Sequence, residues 1–247
     1  MTGTRVRAAE GEQSWDRVAR EPARRVGPYS KHGGVFMDVV YFGDRRVYRD
    51  FETAILSLLS WNPEARIWTL TEDPDPFYDL PVRNFVWRWQ DFFNETPTKT
   101  KWGVMGPIRA AFTKVLPLDR VISLDVDTIV RGDISALWEL DLQGCHAAAC
   151  PEITWGRPYH NNGVCVMDLR RIRDDGLDDA MIRDLNTEWT PYVGQDAMQK
   201  HLRILDLDSR WNACKFTAPC EDPVIVHYAD RTDWRELEEV RQYRRRP

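Results

Sequence analysis

The chain has 247 residues, 43% hydrophobic and 11% aromatic, with 34 basic against 39 acidic side chains and a formal net charge of -5. That length encloses one sizeable core but not comfortably two, and the mildly acidic balance excludes an overall electrostatic footprint for nucleic acid. The five cysteines form no Cys-x-x-Cys pair and are odd in number, which fits a reducing, cytoplasmic setting better than a disulfide framework.

No apolar run approaches the ~18 residues of a membrane span, and the first residues lack a secretory hydrophobic region. Residues 1–30 intersperse Arg5, Arg7, Arg20, Arg24 and Arg25 with Glu10, Glu12, Asp16 and Glu21 and show no periodicity, so a mobile arm is expected there. Val35–Phe42 reads as a strand, and Val47–Ser60 as a helix with an apolar stripe of Phe51, Ala54, Ile55, Leu58 and Leu59, stopped by Asn62-Pro63. Ala65–Leu70 supplies a second strand, giving the strand–helix–strand unit of a parallel sheet. Val82–Trp87 is a further strand, Ile108–Leu116 a helix ended by Pro117, and Arg120–Leu124 a strand that delivers Asp125 and Asp127 at its carboxyl end, where ligands collect on such sheets.

Strands are expected at His146–Cys150, Val164–Leu169 and Val224–Tyr228, and helices at Leu177–Trp189 and Asp196–Leu202, with Asp233–Arg246 as a charged helix or tail. The pattern predicts an α/β fold with a Rossmann-like, mostly parallel central sheet flanked by helices. It forms a single domain over residues 31–234, between the arm and a charged tail at 235–247.

Asp125 and Asp127 repel each other unless protons or a cation separate them, and a hard divalent ion accepts oxygen ligands of this kind. Taken alone, the pair reads equally as a turn cap beside a solvated carboxylate. Asn161-Asn162-Gly163 reads as a turn before a strand, Gln195-Asp196 as a helix start, and His227 as a strand-end histidine.

The order Arg109, Asp125-Val-Asp127, Tyr159-His-Asn161-Asn-Gly163-Val, Gln195-Asp196, Trp211-Asn212 and His227…Trp234 resembles glycosyltransferase family 8 across residues 35 to 234. The resemblance implies a GT-A fold and a retaining transfer of a hexose from a nucleotide sugar, with a UDP-sugar as the expected donor, to an acceptor. That acceptor would be a glycan, a lipid-linked sugar, a protein or a modified nucleic acid. It further implies that Asp125, Asp127 and His227 hold Mn²⁺, with Mg²⁺ as competitor, and that Asp125 also contacts the donor ribose region. Arg109 would meet the diphosphate or donor sugar, Asn161 would position the sugar, and Gln195 and Asp196 would face the anomeric carbon. Tyr41, Phe42 and Asp44 at the end of the first strand would carry the nucleobase.

Two departures stand out. Gly194 occupies the place of the family's aspartate before the glutamine, and His227-Tyr-Ala-Asp-Arg-Thr-Asp-Trp234 is one residue short and lacks the family's lysine, for which Arg231 is the expected substitute.

Three other readings compete. Leu124-Asp-Val-Asp-Thr128 also looks like the nucleophile loop of a haloacid-dehalogenase-like phosphatase, with Asp174-Asp175 and Asp178-Asp179 as further acids. A binding protein with a degenerate transferase fold would also account for the two departures. A sugar nucleotidyltransferase is set aside because Gly3-Thr4-Arg5 follows no strand. Trp87, Trp89, Trp102, Trp155 and Trp189 offer flat surfaces for an acceptor, although core packing is the default role of tryptophan. The loop from Asp91 to Gly106 is the expected lid, the arginine-rich end offers at most a weak contact with an anionic membrane face, and homo-oligomerisation stays open.

Overall fold

The computed structural model describes residues 36–74, 76–77, 79–95, 99–153 and 156–244. The expected N-terminal arm, Gly3-Thr4-Arg5, Trp155 and the last three residues of the tail lie outside the described residues. Along the chain run β1 (Asp38–Phe42), α1 (Tyr48–Trp61), β2 (Arg66–Thr71), β3 (Val82–Val86), α2 (Phe112–Val115), β4 (Arg120–Leu124), β5 (Thr128–Val130) and α3 (Ser135–Trp138). There follow β6 (Ala147–Pro151), β7 (His160–Asp168), α4 (Leu169–Asp174), α5 (Leu177–Thr187), α6 (Gly194–His201), β8 (Ile204–Asp206), β9 (Ile225–His227) and α7 (Glu238–Arg241).

Seven strands form one sheet in the order β3-β2-β1-β4-β7-β6-β8. From β3 to β4 the strands are parallel, as the strand–helix–strand reading requires. The strand β7 reverses direction against both β4 and β6, and β8 is parallel to β6. All five residues of β1 are buried, the mark of a strand covered on both faces. Successive side chains divide between the two sides. Val40 and Phe42 enter one core with Phe112, Met167, Leu185 and Met198, while Val39 and Tyr41 enter the other with Phe51, Ile55, Leu58 and Ile122.

The departures from expectation are local and have physical causes. The run expected as one helix over Ile108–Leu116 is a 3₁₀ segment, Ile108–Ala111, followed by α2. Asn161-Asn162-Gly163 is no turn: β7 begins at His160, because Cys150 pairs with Asn161 and Pro151 with His160 across a register irregularity after Ala149. Cross-strand pairing has overridden local turn chemistry here. Among its described residues the tail forms the 3₁₀ segment Trp234–Glu236 and α7. Among the described residues no helix is long and apolar enough to cross a membrane, and all five cysteines are free.

Candidate active site

The strand β4 ends at Leu124, and the chain turns through Asp125, Val126 and Asp127 into β5, with the Thr128 hydroxyl donating to the Asp125 carbonyl at 2.7 Å. The strand β5 pairs antiparallel with β9, and Thr128 lies opposite His227. That two-stranded ladder brings the C-terminal histidine beside the aspartates. The His227 Nε2 lies 3.3 Å from Asp127 Oδ1 and 3.6 Å from Asp125 Oδ2. One ligand atom from each of the three residues lies within 4.8 Å of the other two, the one such cluster among the described residues.

The imidazole is held from behind. Its Nδ1 lies 3.0 Å from Asn212 Oδ1, and Asn212 Nδ2 donates to Asn161 Oδ1 at 2.8 Å. This network puts the proton on Nδ1 and turns Nε2 to the carboxylates, the orientation that a metal-ligating histidine needs. Asn161 Oδ1 also accepts from Gly163 N at 3.0 Å. A Cβ on Gly163 would lie 2.1 Å from His227 Cε1 and 2.3 Å from Nδ1. The glycine of the Asn-Asn-Gly-Val segment therefore serves the seat of His227, not a turn.

Burial by itself would lower the His227 pKa, but the Asp127 carboxylate, assisted by Cys214 and Asp125, holds it well above the usual imidazole value. Burial likewise pushes Asp127 upward, and the positive His227 overrides it and leaves the carboxyl below its ordinary value. Two carboxylates and one imidazole converging in this way could hold a divalent ion that takes mixed oxygen and nitrogen ligands.

Arg109 is buried on the other side of Asp125. Its Nη2 donates to Asp125 Oδ1 at 2.7 Å, its Nε donates to Ser123 Oγ at 3.1 Å, and its guanidinium lies over the Phe42 ring at 4.5 Å. Arg109, Phe42 and the aspartate–histidine cluster line a cavity of about 780 Å³ that also takes in Asp44, Asn161, Gln195 and Glu152. Glu152, at the carboxyl end of β6, accepts from Asn161 Nδ2 at 2.7 Å and from Gln195 Nε2 at 3.1 Å.

Three of the expected residues lie elsewhere. Tyr41 is fully buried in the α1-side core, where its hydroxyl donates to the Ala54 carbonyl at 3.4 Å; the strict alternation of β1 turns it away from the cavity that Phe42 faces. Asp196 accepts from the Tyr159 hydroxyl at 2.7 Å and from Tyr192 N at 2.8 Å, and it lines a second, smaller cavity behind α6. Arg231 is turned onto Asp233, with Nε donating at 2.8 Å, and does not line the main cavity.

Asp175 and Asp178 engage His146 and Thr113 and do not line the cavity, so these acids of the phosphatase reading are used structurally. Trp87 is packing, buried against Phe92 and Phe93. Trp102 lines the cavity and Trp189 is exposed.

Sequence reasoning missed Glu152, Asp50, Arg46, Lys101 and Arg235, all in the cavity wall. Glu152 had a usable signal in its place at a strand's carboxyl end. Arg235 had none.

The geometry agrees with what this chain resembles. The galactosyltransferase LgtC, solved in complex with donor and acceptor sugar analogues, superposes with a TM-score of 0.66 at 18% identity, covering 84% of this chain and 94% of that one. The glycosyltransferase GlyE of Streptococcus pneumoniae TIGR4 superposes with a TM-score of 0.69 at 21% identity, covering 85% of this chain and 60% of that one. These likenesses establish a GT-A fold. In sequence, the chain is 24% identical over 220 residues to the glycosyltransferase GlyF of Streptococcus pneumoniae serotype 4, covering 77% of this chain but 55% of that protein. It is 34% identical over 116 residues to a probable galacturonosyltransferase-like 9 of Arabidopsis thaliana, covering 37% of this chain and 27% of that one. The chain thus spans about half the length of GlyF or less than that of such curated relatives. The profile described as Glycosyl transferase family 8 matches residues 87–232, more than half of the sequence and every residue of the aspartate–histidine cluster, and the chain belongs to that family.

Proposed function

We propose that this chain is a metal-dependent, retaining glycosyltransferase that moves a hexose from a nucleotide sugar, with a UDP-sugar as the favoured donor. The acceptor is a glycan, a lipid-linked sugar, a protein or a modified nucleic acid. The observation that carries the reading is the convergence of Asp125, Asp127 and His227 on one point of a cavity whose wall also holds Arg109, Asn161 and Gln195. A divalent ion held by the three would supply Lewis-acid stabilisation to the departing nucleoside diphosphate.

The protein's own groups do the rest. Arg109 fixes Asp125 and adds positive charge at the inner end of the cavity. Asn212 and Asn161 hold the imidazole in register. Glu152 orients the amides of Asn161 and Gln195 toward the space where the donor sugar would lie. Asp196 is tied to Tyr159 and Tyr192 and lies outside the main cavity. This favours a front-face displacement, in which the leaving diphosphate helps to take the acceptor proton, over a covalent intermediate on Asp196.

A screen of nucleotide-sugar hydrolysis with Mn²⁺ tests the proposal. A preferred donor should emerge, and Asp127→Ala should abolish its turnover. Full turnover by Asp127→Ala in saturating Mn²⁺ would remove the metal from the reading. Donor binding by calorimetry without any hydrolysis or transfer would favour the degenerate binding protein instead.

A further inference from the structure

Among the described residues, four Lys and Arg side chains line the main cavity, Arg46, Lys101, Arg109 and Arg235, and each is paired with a carboxylate of the same wall: Asp44, Asp230, Asp125 and Asp50 respectively. The shortened tail motif has no lysine to meet a diphosphate, and Arg231 is spent on Asp233 outside the cavity. Three of the four lining cations are poorly suited to replace it. Arg109 is committed at depth to Asp125 and Ser123. Arg46 folds back on Asp44 at the end of β1, the expected nucleobase end. Lys101 is at the exposed rim, where it bridges to the equally exposed Asp230.

Arg235 differs in how it is mounted. Trp234, buried at 4% exposure and stacked on Tyr228 at 5.7 Å, fixes the backbone from which it projects. Tyr228 N donates in turn to the Asp127 carbonyl at 2.9 Å, so the mount is part of the same turn that carries the metal-binding aspartates. The guanidinium presents its fork to Asp50, with Nε and Nη2 at 2.7 and 2.5 Å from the two carboxylate oxygens. Its positive charge also reaches Asp127 and helps to hold that carboxyl low. A fork that satisfies a carboxylate also satisfies a phosphate, with more charge to gain. Asp50 lies in the first turn of the 14-residue α1, where the helix dipole stabilises a carboxylate that has lost its cation.

We infer that Arg235 takes the diphosphate-binding role for which the tail motif has no lysine, exchanging Asp50 for the phosphates when a nucleoside diphosphate enters. This rests on the proposed nucleotide-sugar reading, and Asp50 is its resting partner.

Calorimetry on the full chain in saturating Mn²⁺, with UDP, GDP and ADP each against its own nucleoside, tests the exchange. Arg235→Ala should weaken the preferred diphosphate about 10- to 100-fold and leave the nucleoside unchanged, with Arg235→Lys between the two. Asp50→Asn, which frees the fork, should tighten the diphosphate or leave it as it is, whereas Arg231→Ala should leave it as it is. A strut that merely ties the tail to α1 would behave otherwise: Arg235→Ala and Asp50→Asn would lower the melting temperature alike and affect diphosphate and nucleoside equally. That result, or an Arg235→Ala protein that binds the diphosphate as wild type does, overturns the inference alone. Wild-type protein that binds none of the three diphosphates overturns the nucleotide-sugar reading and the inference with it.

Discussion

The two ends of the main cavity are built differently. At the proposed metal end, Asp125, Asp127 and His227 project from a strand end and a two-stranded ladder, and Asn212 and Asn161 hold the imidazole from behind. At the proposed sugar end, Gln195 stands in the first turn of α6, two residues after Val193, whose φ of 45° is strained for a β-branched residue. Glu152 sits in the loop that follows β6. The start of α6 is pressed against the backbone at Gly106, the residue after the 3₁₀ turn Gly103–Met105: Gly194 N donates to the Gly106 carbonyl at 3.2 Å, and a Cβ on Gly194 would lie 2.5 Å from that oxygen. The metal end is fixed by strand pairing, and the sugar end by a close backbone approach that only glycine permits. A side chain at 194, aspartate included, would collide with the Gly106 carbonyl as α6 is seated here.

The largest expected effect comes from breaking the metal end without touching a ligand. Gly163→Ala drives a methyl into the His227 ring. Because misplacing a reacting group by about 1 Å costs on the order of 100-fold, Mn²⁺-dependent donor hydrolysis should fall at least that far, with Mn²⁺ affinity falling in parallel and the circular dichroism spectrum kept. Wild-type Mn²⁺ affinity in this variant would mean that the imbalance between the two ends has been misread. At the sugar end, Gly194→Asp restores the family's residue and should harm the protein: overpacking of this kind costs about 1–3 kcal/mol, seen as a melting temperature lowered by several degrees with no gain in turnover. A gain in turnover with unchanged melting would show that the 106–194 contact yields easily. Asp196→Asn should be milder still, slowing transfer by no more than about tenfold, because it removes an anchor for Tyr159 and Tyr192 and not a nucleophile. A glycosyl adduct trapped on residue 196 and detected by mass spectrometry would contradict that.

Much of this contrast is visible along the chain. The apolar runs of β1, β2 and β4 and the stripe of α1 announce a parallel sheet, and β4 ends where Asp125 begins, because local periodicity and strand burial coincide there. The partnership of Asp127 with His227 depends on the β5–β9 ladder, a pairing of two three-residue strands about 100 positions apart that no local pattern encodes; only the family order of the motifs brings them together. Asn161-Asn162-Gly163 carries the local signature of a turn and sits in a strand, since its glycine answers to a ring distant in sequence. Tyr41 and Phe42 are neighbouring aromatic residues, and the facing of β1 decides which one meets the cavity. Arg235 lies beyond the motif altogether, and its role depends on Asp50, 185 positions earlier.

The smallest effect is the dependence of metal binding on pH, and it probes the metal end alone. In the metal-free protein, His227 has a raised pKa and Asp127 a lowered one. The raised histidine contributes stability that is complete below its unfolded value of about 6.5 and is lost as pH rises through its higher native value. The lowered aspartate contributes stability that is present above its unfolded value of about 3.9 and is lost as pH falls through its lower native value. The metal-free pair is therefore at its best between those two ordinary values and weakens toward alkaline pH. Coordination requires the neutral imidazole, so a divalent ion must displace the proton that the carboxylates hold on His227, and metal affinity rises as that proton becomes easier to remove. The rise in melting temperature caused by Mn²⁺ should consequently widen between about pH 6 and pH 8, and His227→Gln should flatten that dependence while the two aspartates remain. A Mn²⁺-induced shift that stays constant across this range in the wild type would mean that His227 is already neutral beside Asp127, against the charge balance that the geometry implies.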